Sequence, residues 1–280
     1  DFNGAASDRL VINGAASGTT AVNAQYLGGG FNVDGVLVVD TTSTSAGAFT
    51  LGAVTGASPL IDVDLVQSGA DYFLVAAPSA AAFDPLSVPA WSTSLWYQTA
   101  DEVIAETRKP ATTLGLSFWG DGYYSQDEYG DDDTVVVDGV AFGFDDSMDT
   151  KRYGLQLGVD YGWTGARIGL TGCYAWAKAD DESDFSTLGF NAKGWNIGVY
   201  GQFGGPRGFH GEFLAKHDRY KAEFDDGAFD GENFDIKSTG LDGAVGYRFG
   251  MGGDATIDAH LGLSHVWSKV DNIALFGFDY

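Results

Sequence analysis

Between residues 152 and 267 one pattern recurs on six successive segments: an apolar side chain at every second position, with small or polar residues between. Tyr153, Leu155, Leu157, Val159 and Tyr161 alternate with Arg152, Gly154, Gln156, Gly158 and Asp160. Ile168, Leu170, Tyr174 and Trp176 alternate with Arg167, Gly169, Thr171, Cys173 and Ala175. Trp195, Ile197, Val199 and Phe203 alternate with Asn196, Gly198, Tyr200 and Gln202, and the pattern returns at 209–216, 241–249 and 257–267. A period of two belongs to β-strands. The intervening set is small or polar and carries both signs of charge, the mark of a polar interior behind an apolar exterior. An earlier strand is predicted at about 114–124.

Two further signals select a transmembrane barrel over a soluble sandwich or lipocalin-like barrel. Aromatics such as Tyr161, Trp163, Trp195, Tyr247 and Trp267 fall near strand ends, as interfacial girdles require. Connections alternate in length: 161–165, 204–208 and 250–253 are short, whereas 126–150, 179–187 and 221–235 are long and acidic. Barrels have short periplasmic turns and longer outer loops.

Residues 91–110, WSTSLWYQTADEVIAETRKP, form the long segment that reads as a helix. The breaker-rich stretch 76–85 and Pro89 precede it, Ser92, Thr93 and Ser94 offer N-cap oxygens, and Pro110 stops it. Trp96, Thr99 or Ala100, Val103 and Thr107 share one weakly apolar face. At about 1.5 Å per residue, 93–108 spans roughly 24 Å, close to the ~25 Å apolar band of a barrel. Two placements fit: an amphipathic helix packed on a sheet, or a helix inside a pore.

Residues 1–90 hold short β-type runs at 9–13, 33–40, 60–66 and 71–76 between Gly, Asn, Ser and Thr. Their spacing suits a sandwich or the end of a stacked β-solenoid. Residues 28–34, GGGFNVD, lack the offsets of a calcium-binding nonapeptide, so a glycine turn is expected.

The net charge of −24 disfavours nucleic acid or an anionic lipid face as partner. A single cysteine, Cys173, precludes an internal disulfide framework and a cysteine-rich metal site. The chain opens on Asp1, so a leader is expected upstream or already removed. No nucleophile elbow, zinc helix, P-loop or dinucleotide fingerprint occurs. His210, His217, His260 and His265 all fall on strands, where a polar interior accounts for His210 and His260. The expectation is no catalytic residue, no metal and no cofactor. The acidic runs at 131–133, 180–182 and 225–226 read as solvated loops, with divalent bridging to lipopolysaccharide as the alternative.

Several stretches carry a family resemblance. DRLVINGAASG at 8–18, FNVDGVLVV at 31–39, AFTL at 48–51 and GADYFL at 69–74 resemble the C-terminal end of pertactin-like autotransporter passengers. WYQTADEVIAETR at 96–108, RYGLQLGVD at 152–160, ARIGLTGCYA at 166–175 and GVYG at 198–201 resemble the autotransporter β-domain with its pore helix. The resemblance implies a type V secretion translocator that exports and anchors its own N-terminal passenger. Its implied fold is all-β: the end of a β-solenoid or β-stem, a single pore helix, then an antiparallel outer-membrane β-barrel. The division expected is 1–85 passenger end, 86–112 linker and helix, 113–280 barrel.

On this reading the helix residues Trp96, Asp101, Glu102, Val103, Glu106 and Arg108 face a lining of Arg152, Gln156, Asp160, Arg167, Glu212, Lys216, Asp242 and Arg248. Expected partners are outer-membrane lipid and lipopolysaccharide, the barrel-assembly machinery and the upstream passenger, with residues 1–85 at the cell surface. Some members of the family release the passenger by asparagine cyclisation in the pore; residues 91–110 contain no Asn, so that route is not expected. An eight-stranded barrel is nearly filled by its own side chains, and a helix is ~10 Å across. Either the helix lies outside the pore or further strands follow Tyr280; the second is expected. Competing readings are a small porin-like or OmpA-like barrel with a soluble β domain, and a soluble secreted β-rich adhesin.

Overall fold

Seven strands with a strict inside–outside alternation pair in sequence order, because each apolar face finds its register only beside another strand of the same period. The computed structural model describes residues 1–3, 6–109, 114–129, 132–145, 147–181, 189–225, 227–252, 255–271, 274–275 and 278–279. Before the large sheet come β1 (Leu10–Ala16), β2 (Thr20–Gln25), β3 (Asn32–Thr44), β4 (Phe49–Thr55), β5 (Ile61–Ser68), β6 (Asp71–Pro78) and one helix, α1 (Val88–Thr107). The sheet itself runs through β7 (Gly115–Tyr129), β10 (Met148–Trp163), β11 (Ala166–Asp181), β12 (Gly189–Phe203), β13 (Gly208–Phe224), β14 (Asn233–Gly252) and β15 (Ala255–Val270). All six pairings are antiparallel between neighbours in that order. Among the described residues no pairing joins β7 to β15.

The outer face carries the apolar set. Leu155, Leu157, Leu170, Ile197, Leu241, Val245 and Leu263 are all at least half exposed. A soluble sheet would cover such a wall; a lipid-facing one leaves it bare. The inner face curves around α1, which packs on β10 and on β12 through β15. Trp91 at the helix start stacks near Phe190 (5.1 Å between centroids) within a cluster of Met148, Ala179, Phe224, Phe234 and Ile236. The interior is thus apolar at the long-loop end, a feature the polar-lining expectation did not include. The strands run further toward that end than expected, and Ala177, Ala179, Phe190, Ala192, Ala222 and Phe224 extend the inward row.

The N-terminal strands form solenoid coils rather than a sandwich. β1 pairs with β3 and β2 with β4 in parallel, each starting at an offset of 29 residues (Leu10 to Val39, Thr20 to Phe49) that a bulge then shifts by one. Antiparallel β5 and β6 then close the stack against β3. Phe2, Tyr26, Val39, Phe49, Tyr72 and Leu74 fill its core. Gly28, Gly29 and Gly30 all have positive φ (95°, 112° and 82°), so the triplet is a glycine turn.

Three expectations are corrected. The stretch at 76–85 is not a plain breaker: two 3-10 turns, Ala80–Ala82 and Asp84–Ser87, lead directly into α1. Ser92, Thr93 and Ser94 are not N-caps, because the helix starts at Val88; their hydroxyls donate back to the carbonyls of Pro89, Pro89 and Trp91. Pro89 sits in the first turn, where a missing N–H costs nothing. Residues 126–150 are not one open loop: β8 (Asp132–Val137) and β9 (Val140–Asp145) form a hairpin. Asp138 and Gly139 at its tip have φ of 49° and 84°, as a primed turn demands. Pro110 and residues 111–113 lie outside the described residues. Beyond β15, β16 (Ala274–Leu275) and β17 (Phe278–Asp279) pair with each other.

A charge on the outer wall tests the lipid-facing assignment. Leu170 lies opposite Val159 and Val199. Leu170→Arg is expected to destabilise the folded barrel by ~2–4 kcal/mol, read from urea unfolding in lipid. Val136→Arg, on the exposed face of the β8–β9 hairpin, is expected to leave it unchanged.

Candidate functional site

The inner wall meets the helix through one fully enclosed ion pair. Lys216 on β13 and Asp218, two residues on and on the same face, have side chains 0% and 1% exposed and lie 2.9 Å apart. The Lys216 ammonium also donates to the Trp96 carbonyl (2.9 Å) and to the Thr99 hydroxyl. Thr99 in turn donates to Asp218 (3.2 Å), and the Trp96 indole N–H to the Lys216 carbonyl (3.3 Å). The ammonium lies 4.8 Å from the indole centroid, within cation–π range. Opposite, Trp96 rests on Gly240 of β14: a Cβ there would come within 2.5 Å of the ring. On the next turns of the helix, Val103 and Ile104 pack in one cluster with Tyr200 and Leu214 of the wall.

The C-terminal turn of α1 exposes carbonyls with no partner inside the helix. Wall side chains supply donors. Arg167 donates to the Glu106 carbonyl and, at 3.4 Å, to that of Lys109. Gln202 reaches the Lys109 carbonyl (2.8 Å), and Arg248 the Arg108 carbonyl (2.7 Å). Positive charge at a helix C-terminus also complements its dipole. Thr107 donates to Glu212 (3.2 Å), and Arg108 pairs with the same carboxylate (3.3 Å). Higher up, Arg152 donates to Ser94 (2.7 Å) and to Asp127 (3.1 Å).

Of the lining residues named from sequence, Arg152, Arg167, Glu212, Lys216 and Arg248 reach the helix. Gln156, Asp160 and Asp242 instead bond within the wall: Gln156 to Thr171, Asp160 to Tyr200 (2.7 Å) and Ser117, Asp242 to Ser264. Among the helix residues, Trp96, Val103 and Glu106 face the wall, and Arg108 touches it from a largely exposed position. Asp101 and Glu102 make no hydrogen bond or ion pair among the described residues, so the expected match of wall charges to these two carboxylates is corrected. The helical turn places Asp101 on the exposed side, and the wall arginines bind mainly backbone carbonyls.

Thr99, Tyr200 and Gln202 stand on the faces the sequence assigns them, whereas Asp218 is not named there. Its signal is the alternation itself: continued two residues past Lys216, it puts Asp218 on the inner face. His210 lies 2.9 Å from Asp258, and His217 bonds Thr239. Among the described residues no His, Cys, Asp and Glu cluster suits a metal ion.

Removing one member of an enclosed ion pair leaves an uncompensated charge. Lys216→Met is expected to destabilise the folded protein by ~3–5 kcal/mol. Lys216→Met/Asp218→Asn should recover much of that loss, a coupling that urea unfolding of the three variants measures.

The autotransporter β-domain family model matches residues 118–278. The crystal structure of the β-domain of the Bordetella autotransporter BrkA is similar at 17% identity and a TM-score of 0.45, covering 59% of this chain and 64% of that one. The chain therefore spans less than two thirds of that solved relative. No curated protein matches. With its sheet of alternating strands matched by the family model over more than half its length, this chain belongs to the autotransporter β-domain family.

Proposed function

We propose that the chain is an outer-membrane translocator of the type V kind, which exports its own N-terminal passenger and anchors it at the surface of a Gram-negative cell. The observation that carries this reading is the path of α1. It enters beside Leu60, Ala179 and Phe190 at the long-loop end, directly after the solenoid coils. It leaves beside Arg248 and Gly205 at the short-turn end. There β7 begins, with Gly115 opposite Gly162. A chain that starts outside, crosses within the wall and then builds the barrel from the periplasmic edge would follow that path.

The division that suits this reading is 1–85 passenger end, 86–112 linker and helix, and 113–280 barrel. The solenoid coils would serve as the seat on which upstream coils stack at the cell surface. The lining of Arg152, Arg167, Glu212, Lys216 and Arg248 would guide the helix to its final position. The sequence carries no nucleotide-binding fingerprint, so folding of the passenger outside would bias its movement. The domain acts as a conduit and anchor, not as a catalyst. Its partners on this reading are lipid with lipopolysaccharide, the barrel-assembly machinery and its own passenger.

Protease added to intact cells is expected to cut within residues 1–78 and to spare 114–271. Cleavage of 1–78 only after the outer membrane is opened would refute export. A folded 114–271 region that stays soluble without detergent would refute the barrel.

A further inference from the structure

The outer wall carries a row of cations that neither the helix nor the translocation path uses. Seven of the chain's 15 lysines and arginines project from it: Lys151, Lys178, Lys193, Arg219, Lys221, Lys237 and Lys269. Every strand from β10 to β15 contributes one or two. Sheet register sets them directly opposite one another: Lys151 faces Lys178, Lys193 faces Lys221, Arg219 faces Lys237, and Lys237 faces Lys269. Like charges in opposed positions destabilise a sheet. Carboxylates of the chain lie against three of these four pairs, including Asp271 on Lys237 (3.3 Å), and the Lys193–Lys221 pair is left without a counter-charge among the described residues.

Their level on the wall is also specific. Tyr153, Trp176, Trp195 and Trp267 lie two residues nearer the short-turn end than Lys151, Lys178, Lys193 and Lys269. Tyr153 and Trp176 stack at 5.5 Å and 11°. Aromatic girdles sit at headgroup level, and two strand residues rise ~7 Å along the strand. The cations therefore lie just outside the girdle, at the depth of headgroup phosphates. Among the described residues the opposite girdle, with Tyr161, Phe203, Tyr247 and Phe249, has no such row: Arg167 and Arg248 there point at the helix, and Arg207 stands in the 204–208 turn.

A hollow of ≈ 610 Å³ opens on the wall between Lys151, Lys178, Lys193 and Lys221, and its lining includes Trp176 and one carboxylate, Glu223. Asp149 and Asp180 pair with Lys151 (3.2 Å) and Lys178 (2.9 Å), and Asp235 with Arg219 (2.9 Å). Among the described residues Lys193 and Lys221 have no ion-pair partner.

We propose that this row, centred on Lys193 and Lys221, binds the phosphates of lipopolysaccharide in the outer leaflet. The proposal rests on the translocator reading for which end of the wall faces outward. It replaces the acidic loops as the point of contact: Asp180 and Asp225 are turned to Lys178 instead. Lysine ammonium groups suit phosphate as point charges. Aromatic faces beside them suit the acyl and sugar boundary of an amphipathic lipid.

The test uses the full-length protein and its Lys193→Gln/Lys221→Gln variant, in phosphatidylethanolamine vesicles titrated with lipopolysaccharide. Both side chains are exposed, so folding should survive; if heat-modifiable mobility shows otherwise, Lys151→Gln/Lys178→Gln replaces the pair. The variant is expected to bind roughly 30-fold more weakly, and the difference should shrink with salt. Dephosphorylated lipopolysaccharide should bind the wild type no better than the variant binds the intact lipid. Equal binding by wild type and variant would overturn the proposal. So would equal binding of the dephosphorylated lipid, of phosphatidylglycerol vesicles, or full competition by inorganic phosphate. Protease access to residues 1–78 on the source cells is scored in parallel. Surface exposure with unchanged lipid binding sinks the lysine row alone, whereas a periplasmic location sinks the translocator reading and with it the leaflet assignment.

Discussion

An ammonium group withdrawn from water is stable only when oxygens and a counter-charge surround it. Lys216 meets that condition with atoms from both partners of the assembly: the Asp218 carboxylate from its own strand, the Trp96 carbonyl and Thr99 hydroxyl from the helix. Without the helix, Lys216 and Asp218 would still pair but would face the pore. With it, Trp96 lies over the lysine and against Gly240. The helix is thus part of the interior of this barrel wall, not a passenger loosely threaded through it.

The rest of the helix is held by two different chemistries. At the long-loop end, Trp91 joins Phe190, Phe224 and Phe234 in an apolar cluster that shields the entrance. At the short-turn end, Arg167, Gln202 and Arg248 bind the last carbonyls of α1. Hydrophobic burial is indifferent to sequence register, whereas carbonyl capping and the Lys216 pair each fit one position. Together they give the helix a single resting depth. On the proposed reading, that is what an anchor requires after export has ended.

Much of this was legible because a period of two is hard to produce by chance across six strands. The outward set Leu155, Leu170, Ile197 and Leu263 and the inward set Arg152, Arg167, Lys216 and Arg248 follow from it directly. The reading failed where composition masked geometry. Pro89 reads as a breaker, yet a helix accepts proline in its first turn. The acidic stretch 126–150 reads as a loop, yet Thr134–Val137 and Val140–Phe142 flank an Asp-Gly turn that forms a hairpin. The alternation is read only from Trp195 in β12 and only to Lys216 in β13, so the inward Phe190 and Phe224 escape it. The cation row needed register: Lys193 and Lys221 are far apart in sequence, and only pairing places them side by side.

The depth at which α1 rests inside the wall is measured most directly by cross-linking. Thr107 and Glu212 lie with side-chain oxygens 3.2 Å apart at the helix end. With Cys173→Ala to remove the native thiol, Thr107→Cys/Glu212→Cys in folded protein should be joined by a short thiol cross-linker, and the unfolded protein should not. Folded protein in which both thiols react with a monofunctional label yet never join would contradict the account.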